Sequence, residues 1–128
     1  MSQDQPPEAL LPLTPAVFHI LLALSTAERH GYGIMQEIAA TTGNQMRIGP
    51  GTLYRSIKQL LSAGMITEAN ERPDPEMDDE RRRYYRLTEH GRKVAQAEAL
   101  RLARLVRAAE ARRLLPGTSS EPGMDGTL

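Results

Sequence analysis

Between Gly49-Pro50-Gly51 and Gly64, the residues Leu53, Tyr54, Ile57, Leu60 and Leu61 recur at i, i+1, i+4, i+7 and i+8. That spacing lays one apolar stripe along an α-helix. Thr52, Arg55, Ser56, Gln59 and Ser62 fall on the opposite side. Gly64 is placed to end the helix in the left-handed conformation that residues with a Cβ resist. Directly after it, Met65-Ile66-Thr67-Glu68-Ala69 reads as a strand. A helix apolar on one side, slim and polar on the other, must lie on a core with its polar side turned outward.

The rest of the chain supplies that core. Residues 1–12 hold three prolines and little periodicity, and are expected to form a flexible arm. Thr14-Pro15 reads as an N-cap followed by a first-turn proline. The helix it opens buries Val17, Phe18, Leu21 and Leu24, with Phe18 as a core residue. His30-Gly31-Tyr32-Gly33 marks a tight connection. A second helix over 33–41 carries Ile34 and Ile38 inward and stops at Thr42-Gly43-Asn44. After the third helix, the Met65–Ala69 strand pairs with a second strand, Arg83-Tyr84-Tyr85-Arg86-Leu87, across a turn-rich acidic tip at 70–80. Tyr84 and Tyr85 alternate, so one is expected inside and the other outside. Thr88 caps a last helix over 89–115, and 116–128, rich in Pro, Gly and Ser, is expected to be disordered.

Composition closes off several classes of chemistry. A chain of 128 residues is one ordinary domain. It has no Cys, which excludes disulfides, thiolate metal sites and thiol nucleophiles. His19, His30 and His90 have no metal-ligand spacing, and no metal or cofactor is expected. The glycines are not followed by Gly-Lys-Ser/Thr in a βαβ frame, so they form no phosphate-binding loop. Ser25 and Ser56 lack a His/Asp setting, and no enzyme is expected. With no basic leader and no apolar run long enough to span a bilayer, the expected location is cytoplasmic, away from membranes.

Charge is balanced overall and lopsided along the chain. Residues 1–80 carry five bases against eleven acids, residues 81–113 eleven bases against three acids. The basic stretch can hold a polyanion.

The order is helix, helix, short extended piece, helix, strand, loop, strand, long helix. This predicts an α+β, mostly α fold: a winged helix-turn-helix over 13–88 with a two-stranded wing, then a long C-terminal dimerisation helix. The third helix suits major-groove reading, because a groove about 12 Å wide admits only a slim helix face. Thr52, Arg55, Ser56, Lys58 and Gln59 are the candidate groove readers. The Tyr32 hydroxyl and Arg81, Arg82 and Arg83 are candidates for phosphate. Tyr54, on the apolar stripe, is expected in the core. The last helix, about 38 Å long at ~25 residues, exceeds what so small a domain covers by itself, which points to a second chain. Ala95, Ala99, Leu102, Leu105, Val106 and Ala109 are the candidate seam.

Three blocks of residues resemble a known family, the PadR-like transcriptional regulators. His30-Gly31-Tyr32-Gly33-Ile34 with Glu37-Ile38 is similar to its first turn. Gly51-Thr52-Leu53-Tyr54-Arg55, Ile57-Lys58-Gln59-Leu60 and Ala63-Gly64-Met65-Ile66 resemble its recognition helix and exit. Arg83-Tyr84-Tyr85-Arg86-Leu87-Thr88-Glu89-His90-Gly91-Arg92 resembles its second wing strand and the start of its dimer helix. The resemblance implies a homodimeric repressor of bacterial type that binds double-stranded DNA at an inverted repeat and is relieved by a small-molecule effector or another signal. The single C-terminal helix resembles the short-chain subgroup.

Two features depart from a simple version of that reading. The wing tip is acidic (Asp74, Glu76, Asp78, Asp79, Glu80), and carboxylates repel phosphates, so the tip is expected to stay off the backbone or fold onto Arg81–Arg83. Winged helices also serve as protein–protein or ligand-sensing modules, the alternative reading. Salt separates the two, since phosphate contacts weaken steeply with ionic strength.

Overall fold

The computed structural model describes residues 6–69 and 83–116. The chain divides into two units, Met1–Glu98 and Ala99–Leu128. In the first, α1 (Pro15–Ser25), β1 (Arg29–His30), α2 (Gly31–Thr41), α3 (Pro50–Ser62), β2 (Ile66–Ala69) and β3 (Tyr84–Leu87) precede α4 (Glu89–Ala111), which continues into the second.

Each helix starts where the local chemistry allows it. Thr14 Oγ1 accepts from the Val17 amide at 3.2 Å, and Pro15 takes the first position, where its missing N–H costs nothing. His30 caps α2 by accepting from the Gly33 amide through Nδ1 at 2.9 Å, so this helix begins two residues before the expected 33. Gly43 (φ 59°) and Asn44 (φ 66°) end it in left-handed geometry. Gly64 (φ 76°) ends the turn after α3 as its position predicts.

The sheet has three strands in the order β1-β3-β2, all antiparallel. Ile66 faces Leu87 and Ala69 faces Tyr84 across the wing pair. The two-stranded sheet expected from sequence gains β1, in which Arg29 pairs with Tyr85 and His30 with Tyr84. Two residues carry no alternation to read, so this strand exists only through its partner.

The core collects Leu21 and Leu24 from α1, Ile34 and Ile38 from α2, Leu53, Ile57 and Leu60 from α3, Ile66 and Tyr85 from the sheet and Val94 from α4. Tyr85 is the buried member of its pair, and Tyr84 is half-buried against the edge of the His30 ring at 5.2 Å. Phe18 is a correction: it is half-buried and stands outside the core cluster, where Ile20 and Ala23 take the inward positions. Part of the expected flexible arm is structured. Pro7–Leu10 forms a 3-10 turn, and Leu10 and Leu11 pack on the core.

Two contacts set the helix positions. Tyr54 lies half-buried with its hydroxyl against Gly31, where a Cβ would overlap the ring carbon Cζ at 2.8 Å. The missing side chain lets the start of α2 close onto α3. At the other end, Thr88 Oγ1 donates to the Gly64 carbonyl at 2.6 Å and accepts from the Gly91 amide at 3.0 Å. One hydroxyl thus joins the end of the α3 turn to the start of α4. Within the first unit α4 buries Gly91, Val94 and Glu98, one side of the helix at i, i+3 and i+7. The Glu98 carboxylate is 2% exposed and accepts from the Leu13 amide at 3.2 Å.

The second unit is the remainder of α4 and the chain after it. Its described residues include the exposed apolar side chains Leu100, Leu105, Val106 and Leu114. The helix ends at Ala111, short of the expected 115, where Arg113 takes a φ of 60°. No helix among the described residues is long and apolar enough to cross a membrane.

Two stability measurements check this packing. Thr88→Ala removes both bonds of the hydroxyl and should cost about 1–2 kcal/mol in denaturant unfolding. Gly31→Ala should cost about 1–3 kcal/mol by crowding Tyr54. Adding Tyr54→Leu to Gly31→Ala should cost less than the sum of the two single changes, because the crowding is then gone.

Candidate nucleic-acid interface

The site is built by the one-sidedness of α3. Leu53, Ile57 and Leu60 are buried at 0–3% exposure, which locks the roll of the helix about its axis. Thr52, Arg55, Lys58 and Gln59 then stand on the exposed side. Among the described residues, none of these four side chains makes a hydrogen bond or ion pair, so their donors face solvent. A surface hollow of about 410 Å³ lies against Arg55, Lys58, Gln59, Ser62 and Ala63.

Ser56 corrects the expected reading face. It is 7% exposed and lies on the inner side of α3. The reason is angular: Ser56 stands three residues after Leu53 and four before Leu60, both buried, and so falls within the buried stripe. A small polar residue can sit inside that stripe, and its polarity misplaces it when faces are assigned by residue type.

The start of α3 is bare. Gly49 caps the helix without a side-chain bond, and neither Gly49 nor Gly51 has any atom within 4 Å of where a Cβ would stand. A ligand backbone can therefore approach the free amides of the first turn.

Tyr32, at the start of α2, is 59% exposed, and its ring stacks on His30 at 6.5 Å between centroids. Because its neighbour Gly31 touches Tyr54, the start of α2 lies beside the second turn of α3. Arg47 and Gln36 share with Tyr32 the lining of a second hollow of about 260 Å³. Neither of those two stands out in the sequence. The signal there is weak: Arg47 is one of five bases among the first 80 residues.

The wing contributes differently. Arg83 is exposed and pairs with Glu68 across the strands at 3.3 Å, so its charge already has a carboxylate partner. Arg81, Arg82 and the acidic tip lie outside the described residues. Arg86 pairs with Glu28 at 3.7 Å. Arg29 is tied to the Ala23 carbonyl at 2.7 Å, to Thr26 and to Glu37. Arg92 donates to the Ser25 carbonyl at 3.4 Å. Several arginines of the first unit are thus structural, which separates them from Arg55.

The expected seam residues fall in two groups. Ala95 is half-buried and packs on the core of the first unit. The stripe of α4 in this unit runs through Val94 and Glu98, one position before the alanines read from sequence. In the second unit Ala99, Leu105 and Val106 are exposed, and Leu102 and Ala109 half-buried.

Comparison with known proteins agrees with this architecture. A 37.1 kDa uncharacterized protein in transposon TN4556 of Streptomyces fradiae is 35% identical over 86 residues, 67% of this chain and 22% of that protein. The chain thus spans about a fifth of the length of this curated relative. The structure of a transcriptional regulator from Clostridium thermocellum superposes with a TM-score of 0.64 at 24% identity, over 75% of this chain and 87% of that one. A PadR family transcription regulator from Clostridium difficile gives 0.63 at 18% identity, over 77% and 97%. At these identities the two structures establish the winged-helix fold. The model of the transcriptional regulator PadR-like family matches residues 20–97, from the middle of α1 into α4, and this chain belongs to that family.

Proposed function

We propose that this chain regulates transcription as a homodimer that lays α3 in the major groove of double-stranded DNA and represses at an inverted-repeat operator. The observation that carries the reading is the polar side of α3: Thr52, Arg55, Lys58 and Gln59 exposed and, among the described residues, unpaired on a helix whose other side is buried. Such a helix, 13 residues and about 20 Å long, fits a groove about 12 Å wide. In this reading Arg55 and Gln59 meet base edges, the former suited to guanine and the latter to adenine. Thr52 and Lys58 meet bases or phosphates, and the bare first turn admits the backbone.

The dimer part of the proposal rests on the second unit. Leu105 and Val106 are 55% and 48% exposed on adjacent positions of the part of α4 that lies in the second unit. Pairing with a second copy would remove this apolar surface from water. Two copies of α3 held by paired helices would fall on successive turns of the duplex, the geometry of an inverted repeat.

Two experiments test these parts separately. Arg55→Ala with Gln59→Ala should weaken binding to a selected operator by about 1–3 kcal/mol for each bidentate bond to a base that is removed, while binding to unrelated duplex changes far less. Operator affinity equal to wild type would remove α3 from the groove. Leu105→Glu with Val106→Glu should raise the dimer dissociation constant about tenfold or more in sedimentation, with the circular dichroism of the first unit retained.

A further inference from the structure

The second hollow has a composition that the groove-reading role of α3 does not use. Its walls are Tyr32, Met35, Gln36 and Ala39 of α2 and Arg47 and Ile48 of the connection that enters α3. The connection is held in place. Thr42 Oγ1 donates to the Ile38 carbonyl at 2.8 Å and accepts from the Met46 amide at 3.1 Å, while Ile48 is buried. An extended backbone fixed at Met46 and Ile48 turns the residue between them outward, and Arg47 is exposed. Among the described residues its guanidinium has no hydrogen-bond or ion-pair partner. Among the described residues no carboxylate lines the hollow, and the nearby acid of α2, Glu37, pairs with Arg29 at 3.6 Å. Around a single uncompensated cation stand an exposed phenol and an exposed amide, both able to donate.

We propose that Arg47, with the Tyr32 hydroxyl and the Gln36 amide beside it, seats a backbone phosphate of the duplex next to the groove that α3 enters. The donor set matches a phosphodiester: a guanidinium for the charge and two neutral donors for the remaining oxygen lone pairs. Its place follows from the fold, since Arg47 lies three residues before the helix and Tyr32 adjoins the Gly31–Tyr54 contact. A seat there fixes the register of α3 on the backbone and is blind to base identity. The inference rests on the proposed DNA reading.

The test measures binding of the full chain to a selected operator and to a scrambled duplex between 50 and 200 mM salt. Arg47→Ala should lower the slope of log affinity against log salt by about 0.9 for each Arg47 engaged. Over that range the wild type then loses about threefold more affinity than the variant per engaged Arg47, on both duplexes alike. Arg47→Lys should keep the wild-type slope. Tyr32→Phe should weaken both duplexes equally with the slope unchanged, because a neutral donor releases no counterion. Arg47→Gln gives the same readout should the alanine variant loosen the connection, as thermal unfolding would reveal. Slopes parallel to wild type for both Arg47→Ala and Arg47→Gln overturn the phosphate seat and leave the α3 reading standing. A loss confined to the operator also overturns it, since Arg47 would then read bases. A wild type that ignores both duplexes sinks the DNA reading and this inference together.

Discussion

The burial of Leu53, Ile57 and Leu60 leaves α3 no freedom to roll, and the orientation of every exposed donor on that helix follows from it. A rotation of one residue, about 100°, would carry Arg55 toward the core and Leu53 toward water. The Tyr54–Gly31 contact sets the remaining variable, the distance of α2 from α3. Three large aliphatic side chains and one missing Cβ thus fix which way the polar side of the helix faces, while its long side chains stay free in water. A helix whose roll is already fixed has only its side chains left to order on binding, and that ordering subtracts from the affinity they provide.

The distribution of arginine partners sharpens this picture. A basic stretch in the sequence suggests a broad cationic surface, yet Arg29, Arg83, Arg86 and Arg92 hold neighbours within the first unit together. The ion pairs among these, of Arg29, Arg83 and Arg86, contribute little stability where exposed, about 0–1 kcal/mol each. Their larger effect is to neutralise local field. Among the described residues Arg55, Lys58 and Arg47 have no such partner, although they lie in the part of the chain with excess acid. Net charge by segment and free charge by position are therefore different quantities, and the second bears on an anionic ligand.

Much of the fold is legible in the sequence because the signals are local. Thr14, Thr88 and Gly64 act as their residue types predict, and the apolar stripe of α3 is readable from its period. What is not legible depends on partners far along the chain. β1 exists through Tyr84 and Tyr85. Phe18 reads as a core residue by size, but Ile20 and Ala23 hold the inward angular positions of α1. Ser56 reads as a surface residue by chemistry and is buried by angle. Glu98, an acid within a basic helix, carries no local sign of its burial. The candidate residues of α3 follow from one face of one helix, whereas the cluster of Tyr32, Gln36 and Arg47 joins two segments and becomes visible only when they are brought together.

The bond from the Leu13 amide to the Glu98 carboxylate joins positions 85 residues apart in sequence. It fastens the leading segment of the chain directly onto α4, bypassing every element between them. In mechanical terms the first unit is a closed ring and not an open string. Leu10, Leu11 and Leu13 pack on the core beside this bond, so the leading segment is attached by apolar contact as well as by the carboxylate. The leading segment and the first half of α4 are therefore held to each other directly within the first unit, without the wing between them.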